Sequence, residues 1–221
     1  MIKLKNIYKS FKSNNDTIDV LNDISFDINE GEICIIYGNS GVGKSTLLSI
    51  IGTLESPSAG DVFIDDELID FNKDLSYVRS HKLGFVFQNN FLLPEFSVLE
   101  NLIVPQLISG KSFSESKKYG LEMLSILRLE EIKDRFYNQI SGGEKQRVSL
   151  IRSLVNDPLL VIADEPTANL DEKNCKQILD LIVKLNKEMN KSFLIATHDE
   201  RFKKISNCTY NLFDGDLIKN V

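Results

Sequence analysis

Short apolar runs rich in β-branched residues alternate with longer segments of helical periodicity along this chain. Residues 1–30 alternate polar and apolar positions as strands do, with a polar turn predicted at Ser13-Asn14-Asn15-Asp16. Further strands are predicted, in chain order, at Ile33–Tyr37, Gly60–Ile64, Leu83–Phe87, Leu159–Ala163 and Ser192–Ala196. Helices are predicted at Leu47–Ile51 and Lys173–Met189.

The middle of the chain has a different pattern. Ser97–Ile108 and Ser114–Leu127 have helical periodicity, broken by Pro105 and by a turn at Gly110, and strand signals there are few. The alternation of strands and helices resumes after Pro158. The pattern predicts a single α/β domain, in which a core of residues 1–88 and 158–221 carries an inserted helical subdomain at residues 89–157.

Composition narrows the class of protein. With 221 residues, 42% of them hydrophobic and 26% charged, the chain is typical of a globular protein with a substantial core. A net charge of −6 argues against a nucleic-acid surface. The N-terminus lacks a signal-peptide pattern, and no apolar run approaches the roughly 18–20 residues that cross a bilayer. We therefore expect a cytosolic or peripheral protein that does not span a membrane alone.

The cysteines add little. Cys34, Cys175 and Cys208 are an odd set without paired spacing. Neither a disulfide framework nor a metal site is predicted from them, which fits a reducing cytosol.

A glycine-rich segment follows the predicted strand Ile33–Tyr37 and precedes an apolar helix. It matches the pattern GxxxxGK[ST] at every fixed position and reads Gly38-Asn39-Ser40-Gly41-Val42-Gly43-Lys44-Ser45, with Thr46 next. Its backbone amides and the helix N-terminus are suited to binding phosphates. Lys44 is expected to neutralise the β- and γ-phosphates, and the Ser45 hydroxyl to ligate Mg²⁺. A glycine-rich turn that matches by chance is the alternative, and the flanking strand and helix argue against it.

Two carboxylates end the apolar run Leu159–Ala163. Asp164 is placed to hold Mg²⁺, as a Walker-B aspartate does, and Glu165 to polarise an attacking water. The alternative is an acidic strand end that faces solvent. The phosphate loop upstream favours the catalytic interpretation.

The segment Ile140-Ser141-Gly142-Gly143-Glu144 comes before a predicted helix and so forms a second potential anion-binding site. One nucleotide needs one such cradle, and this second one identifies the family. The sequence resembles the ATPase subunits of ATP-binding-cassette (ABC) transporters, in which an LSGGQ-type signature closes over ATP held by a second subunit. Here Ile140 replaces Leu and Glu144 replaces Gln. The resemblance implies that Ser141, Gly142, Gly143 and Glu144 contact nucleotide in trans, within a head-to-tail dimer.

The resemblance covers essentially the whole chain and implies further roles. Phe11 matches the aromatic residue that stacks on adenine, although Tyr8 is close by and either ring could instead be core. Gln88 matches the glutamine that contacts Mg²⁺ and the attacking water. Asn169-Leu170-Asp171 resembles the D-loop, which crosses the dimer interface, and His198 matches the switch histidine that contacts the γ-phosphate.

Two stretches, residues 163–171 and 92–101, are similar to the LolD/MacB/FtsE subgroup, and the second is closest to lipoprotein-releasing ATPases. This implies hydrolysis of Mg·ATP by two copies on the cytoplasmic face of the inner membrane, with membrane contact through transmembrane permease subunits. MacB-like efflux, FtsE-like cell division, a non-transport ABC ATPase and an ordinary P-loop kinase or GTPase are the alternatives. Phe91, Leu93 and Phe96 either fill a small core or line a groove for a helix of the permease.

Overall fold

The computed structural model describes residues 1–13 and 16–220. Asn14 and Asn15, in the middle of the predicted first turn, lie outside these residues. In chain order the strands are β1 (Ile2–Ser13), β2 (Asp16–Ile28), β3 (Ile33–Tyr37), β4 (Ala59–Ile64), β5 (Glu67–Leu68), β6 (Leu83–Val86), β7 (Leu160–Asp164), β8 (Ser192–Ala196), β9 (Cys208–Phe213) and β10 (Asp216–Asn220). The α-helices are α1 (Lys44–Ile51), α2 (Ser76–His81), α3 (Val98–Ile108), α4 (Phe113–Ile126), α5 (Gly142–Leu154) and α6 (Glu172–Met189). Short 3₁₀ helices occupy Glu130–Ile132, Tyr137–Gln139 and Glu200–Lys204.

The strands form two sheets of different kinds. The smaller sheet has the order β2-β1-β4-β5 and is antiparallel. The larger has the order β10-β9-β3-β8-β7-β6, and all its neighbours are parallel except the edge pair β10–β9. The carboxyl ends of β3, β7 and β8 therefore meet at one edge of this sheet, where α/β proteins bind ligands.

The central strand β3 is buried on both faces. Ile33, Ile35 and Tyr37 pack into the core beneath the helices, while Cys34 and Ile36 pack into a second core beneath α1 and the antiparallel sheet. Alternate residues of a strand point to opposite faces, so one short apolar run serves both cores. This explains why the strand is a continuous apolar run rather than an alternating one.

The central helices begin at capping boxes. In α3, α4 and α5 a serine side chain accepts a hydrogen bond from the backbone N–H three residues later, and the glutamate at that later position accepts one from the backbone N–H of the serine. The serines are Ser97, Ser112 and Ser141. Between α3 and α4, Gly110 takes a left-handed conformation (φ 93°) and makes the predicted turn.

The prediction that Pro105 breaks the helix is wrong. Proline lies inside α3, which continues to Ile108. Proline removes one backbone N–H, but the neighbouring residues Leu102, Ile103 and Gln106 are buried, and the carbonyl of Pro105 accepts from Asn156 Nδ2 at 3.1 Å. Tertiary packing therefore stabilises the helix despite the proline within it.

The prediction of no disulfide is also wrong. Cys34 of β3 and Cys208 of β9 are adjacent across the parallel pair, with Cα atoms 4.9 Å apart, and they form a disulfide. The two residues are 174 positions apart in the chain, so their contact depends on a strand pairing that spacing does not reveal. β9 and β10 are, like β5 and α2, elements that the sequence pattern did not predict. Among the helices of the described residues, none is long and apolar enough to cross a membrane.

Candidate functional site

The loop between β3 and α1 has a backbone that favours glycine. Gly41 and Gly43 take left-handed conformations, with φ of 84° and 104°. A Cβ at Gly43 would lie 2.9 Å from Val20 Cγ1, so β2 packs directly against the loop. The predicted phosphate loop is thus tightly turned around the N-terminus of α1.

Lys44 lies at the start of α1 and is buried. Its Nζ donates to the carbonyl oxygens of Gly38 (2.7 Å) and Asn39 (3.0 Å), and lies 3.6 Å from Glu165 Oε1. The loop therefore encloses the Lys44 ammonium, and an anionic group bound at the loop would lie close to this charge.

The loop opens into a cavity of about 420 Å³. The residues that line it are Val20, Ser40, Gly41, Gly43, Lys44, Ser45, Thr46, Gln88, Asp164, Glu165, Ala168 and His198. The fold thus brings together residues predicted from four separate segments of the sequence. The volume of the cavity and the polar side chains that line it are suited to a phosphorylated ligand.

Asp164 ends β7 directly opposite the start of α1. Ser45 Oγ donates to Asp164 Oδ2 at 2.6 Å, and Gln88, two residues beyond β6, lines the same cavity. A hydroxyl, a carboxylate and an amide oxygen form a hard oxygen donor set of the type that Mg²⁺ prefers. These residues fit a magnesium ion.

Glu165 has an unusual backbone conformation. Its φ is 46°, in the left-handed region, and its backbone N–H donates to Ala196 O at 2.8 Å. The carboxylate accepts from Thr197 Oγ1 at 3.1 Å and lies 3.0 Å from His198 Nδ1. Since the Glu165 side chain is 14% exposed and that of His198 is 75% exposed, the carboxylate is largely enclosed beneath the histidine. A strained backbone held by several partners is a feature of functional sites.

Four residues near Glu165 and His198 were missed by sequence reasoning: Thr167, Thr197, Asp199 and Arg201. Thr167 Oγ1 donates to Asp199 Oδ2 at 3.1 Å, and Arg201 Nη2 donates to the same oxygen at 2.7 Å. Burial opposes ionisation of Asp199, but the Arg201 hydrogen bonds outweigh it and lower the pKa of this carboxyl. Thr197, whose hydroxyl donates to the Glu165 carboxylate, is the fourth. A sequence signal for two of them was present, because Thr197 and Asp199 directly flank the predicted site residue His198.

The Ser141 end of α5 lies outside the phosphate-loop cavity. Ser141 Oγ accepts from Glu144 N at 3.3 Å, while the Glu144 carboxylate accepts from both Ser141 N and Ser141 Oγ at 2.7 Å. The Ser141 hydrogen bonds lower the pKa of Glu144 despite its partial burial. Two backbone amides at this end, those of Ser141 and Glu144, are therefore bonded within the chain. The contact of this segment with nucleotide in trans stays a prediction.

Gly142 lines a second cavity of about 490 Å³ beside the first. This cavity is also lined by Gln88, Ala168, Asn169 and Leu170. Two of them, Gln88 and Ala168, line both cavities. The predicted D-loop, the Gln88 loop and the Ser141 end of α5 thus adjoin one another at the edge of the nucleotide cavity.

Three side chains on one face of α5 hold the segment around Gln88, residues 87–91. Gln146 Nε2 donates to Phe87 O at 3.5 Å and Ser149 Oγ to Asn90 O at 3.3 Å. Arg152 donates to Asn90 O at 2.8 Å and to the carbonyl oxygen of Phe91 at 2.6 Å. The helix that Ser141 caps is therefore tied to residues 87–91, the segment that contains Gln88.

Phe11 and Tyr8 are equally exposed, at 42% each, so neither ring is core. Among the residues described, neither of them lines the phosphate-loop cavity. Phe11 pairs with Ile18, two residues from the cavity-lining Val20, and Lys9 Nζ lies 4.8 Å from the centre of its ring. The assignment of Phe11 rather than Tyr8 to the adenine contact stays a prediction.

Comparison with known proteins agrees with this arrangement. Residues 21–168 match the family described as ABC transporter. The chain belongs to the ABC transporter family. The family prediction from the sequence motifs is confirmed, and the chain is an ATPase subunit with the α/β cassette fold of that family.

Relatives of this cassette align along its whole length. The chain is 45% identical over 217 residues to the lipoprotein-releasing system ATP-binding protein LolD of Buchnera aphidicola, covering 97% of this chain and 95% of the relative. It is 43% identical over 222 residues to the LolD protein of Bacteroides thetaiotaomicron, covering all of both chains.

Solved ABC cassettes share the fold. The chain matches a dimeric structure of the ATP-binding cassette MJ0796 with a TM-score of 0.89 and 38% identity, over 99% of this chain and 98% of that one. A post-hydrolysis dimer of the same cassette, bound to ADP and Pi, matches with a TM-score of 0.88. Both neighbours are dimers.

Proposed function

We propose that this chain is the ATP-hydrolysing subunit of a lipoprotein-releasing ABC transporter. In this proposal two copies act head to tail, at the cytoplasmic face of the inner membrane, and drive transmembrane permease subunits through which they contact the membrane. Its lipoprotein substrate class rests on the relatives named LolD, which align end to end with this chain.

One observation carries the proposal of a shared site. The phosphate-loop cavity gathers Lys44, Asp164, Glu165 and His198, while Ser141 caps a helix outside it. A nucleotide bound in that cavity would have one side exposed to solvent until a second protein surface covered that side. In the dimer we assign that surface to the partner copy's segment 141–144.

Separate residues of this chain bind the phosphates, the adenine and the magnesium ion. The loop amides and Lys44 bind the β- and γ-phosphates and neutralise charge, while Phe11 stacks on adenine. Ser45, Asp164 and Gln88 would hold Mg²⁺, which neutralises charge on the phosphate oxygens when bound.

Glu165 is the water-orienting base. Its carboxylate lies at the inner wall of the cavity, within 3.0 Å of His198 Nδ1 and 3.6 Å of Lys44 Nζ. A carboxylate held there can accept a proton from an attacking water, while His198 and Lys44 stabilise charge on the transferring phosphoryl group. Release of the γ-phosphate then removes the anion that joins the two copies.

Movement reaches the permease through the inserted helices of residues 89–157. An apolar groove of about 450 Å³ lies between the two parts of the chain, and Leu54, Phe85, Phe87, Pro105 and Ile108 are among its lining residues. Phe91 is 63% exposed and packs edge-on against Phe87, with ring centres 5.3 Å apart. Leu93 and Phe96 are also exposed. Phe91, Leu93 and Phe96 are not among the described residues that line the groove. We assign the docking surface, formed by the groove and these exposed side chains, to an amphipathic cytosolic helix of the permease.

Serine substitutions test the docking surface. Phe91→Ser or Phe96→Ser should leave the free energy of unfolding within about 1 kcal/mol and keep basal ATPase activity, while co-purification with the permease is lost. Leu92→Ser is the matched control: Leu92 is buried, so it should cost about 2–4 kcal/mol and reduce stability and activity together. If the Phe91 and Phe96 variants melt as early as Leu92→Ser, these side chains are structural and the docking surface lies elsewhere.

The transport role is tested in native membranes. The tagged chain is purified from solubilised membranes, the co-purifying transmembrane protein is identified, and lipoproteins retained in the inner membrane are measured after depletion of the chain. Retention supports lipoprotein release. An efflux or cell-division protein as the co-purifying partner, with lipoproteins correctly sorted, would overturn that role and leave the ATPase assignment intact.

A further inference from the structure

A buried hydroxyl reaches the carboxylate of Glu165 from the loop that carries His198. Thr197 Oγ1 lies 3.1 Å from Glu165 Oε2 and 3.1 Å from the backbone N of Asp199. The backbone N–H can only donate, so the hydroxyl oxygen accepts from Asp199. A threonine hydroxyl has a single proton, and here that proton is directed to Glu165.

The loop that carries this hydroxyl is fixed by a second contact. Asp199 accepts from Thr167 Oγ1 at 3.1 Å, and Arg201 Nη2 holds the same carboxylate at 2.7 Å. Thr167 lies two residues after Glu165. The segments that carry Glu165 and His198 are therefore joined by hydroxyl contacts at Thr197–Glu165 and at Thr167–Asp199. These add to the Glu165 N–H bond to Ala196 O and to the Glu165–His198 contact.

The partners of the Glu165 carboxylate differ in where they lie. Lys44 and His198 line the cavity and would interact with nucleotide phosphates. Thr197 has an exposed fraction of 0% and approaches the carboxylate from the protein interior. It is therefore the partner that can remain in place when a nucleotide enters and engages the other two.

We propose that Thr197 is a positioning residue for hydrolysis. Its hydroxyl holds one oxygen of the Glu165 carboxylate and leaves the other directed toward the attacking water. Asp199 supplies the N–H that sets the direction of the hydroxyl, and Thr167 anchors Asp199. This inference rests on the proposed role of Glu165 as the water-orienting base.

The test compares Thr197→Val, which keeps the shape but removes the hydroxyl, with Thr197→Ser, which keeps the hydroxyl. For Thr197→Val we expect kcat to fall about 10- to 100-fold, because a small misplacement of a catalytic group has an effect of this size. The KM for ATP and the Kd measured for ATP should change less than about threefold, since the phosphate contacts remain. Thr197→Ser should retain kcat within about threefold. Thr167→Val, which releases Asp199, gives an independent variant with an expected loss of about three- to tenfold.

A double-mutant cycle separates positioning from general damage. In a Glu165→Gln background, single-turnover hydrolysis should lose less than about twofold on adding Thr197→Val, because the two changes remove the same function. An undiminished loss in that background, or near-normal kcat for Thr197→Val alone, would overturn the inference. Near-normal turnover by Glu165→Gln itself is a different result, and it would overturn the proposed role of Glu165.

Discussion

Two glycine-rich helix N-termini in this molecule, at α1 and at α5, are built in different ways. The loop before α1 uses left-handed glycines, Gly41 and Gly43, and encloses the ammonium of Lys44. At α5 the glycines, Gly142 and Gly143, are the first residues of the helix itself, and Glu144 places a carboxylate there.

The difference shows that two glycine-containing helix N-termini can differ in charge: one encloses a lysine ammonium, and the other carries the carboxylate of its own capping box. The α1 end has a cation, a cavity and a carboxylate nearby, and we expect it to bind phosphate within one chain. The α5 end has a capping box that satisfies part of its amides internally. We expect it to act as a lid supplied to the other copy, and the following experiments test this division.

The largest effect is expected at the carboxylate of the α1 site. Glu165→Gln should lower turnover by about 10²- to 10⁴-fold, because a general base is removed while the phosphate contacts remain. The variant should retain ATP and accumulate as a dimer, since closure no longer ends in hydrolysis. Size-exclusion chromatography with and without Mg·ATP measures this. Near-normal turnover would remove Glu165 from the mechanism.

A smaller effect on a different quantity is expected at Lys44. Lys44→Ala should raise the Kd for ATP about 10- to 100-fold, the equivalent of losing a charged hydrogen bond of about 1.5–3 kcal/mol. Equilibrium binding of ATP to the isolated subunit measures it. Lys82→Ala is the control, because Lys82 pairs with Asp65 and Glu67 at another surface. Unchanged affinity in Lys44→Ala would mean that the loop does not use its cation for phosphate.

The α5 end should affect association rather than binding. Ser141→Ala should leave the Kd for ATP of the monomer unchanged but weaken ATP-dependent dimerisation about tenfold, or about 1.4 kcal/mol. Ser112→Ala removes the same type of capping box from α4. Both variants should lose about 1 kcal/mol of stability, and dimerisation should suffer in Ser141→Ala alone. An equal loss of dimer in both would show that Ser141 acts through helix stability.

The smallest effect is expected at the aromatic side of the α1 site. Phe11→Ala should raise the Kd for ATP by less than about tenfold with turnover at saturation little changed, because stacking contributes binding but not chemistry. Discrimination between ATP and GTP should stay within about tenfold, or about 1.4 kcal/mol. Tyr8→Ala is the comparison. If Tyr8→Ala weakens binding and Phe11→Ala does not, the adenine contact belongs to Tyr8.

Much of the cassette follows from local sequence. The phosphate loop, the strand end at Asp164 and the strand before Thr197 were predicted at nearly their observed bounds. Glycine at a left-handed position, an apolar strand buried on both faces and a serine cap each have a physical cause within a few residues of chain. The family followed from the order of these local signals along the chain.

Tertiary structure decided the remaining features. Helix α3 continues through Pro105 because its neighbours are buried, and Cys34 meets Cys208 because β3 and β9 pair in parallel. The hydroxyl of Thr197 points to Glu165 because the Asp199 N–H occupies its acceptor site. Such contacts join residues from distant segments, and the direction of a side chain there is set by packing and by competing donors, which a motif does not encode.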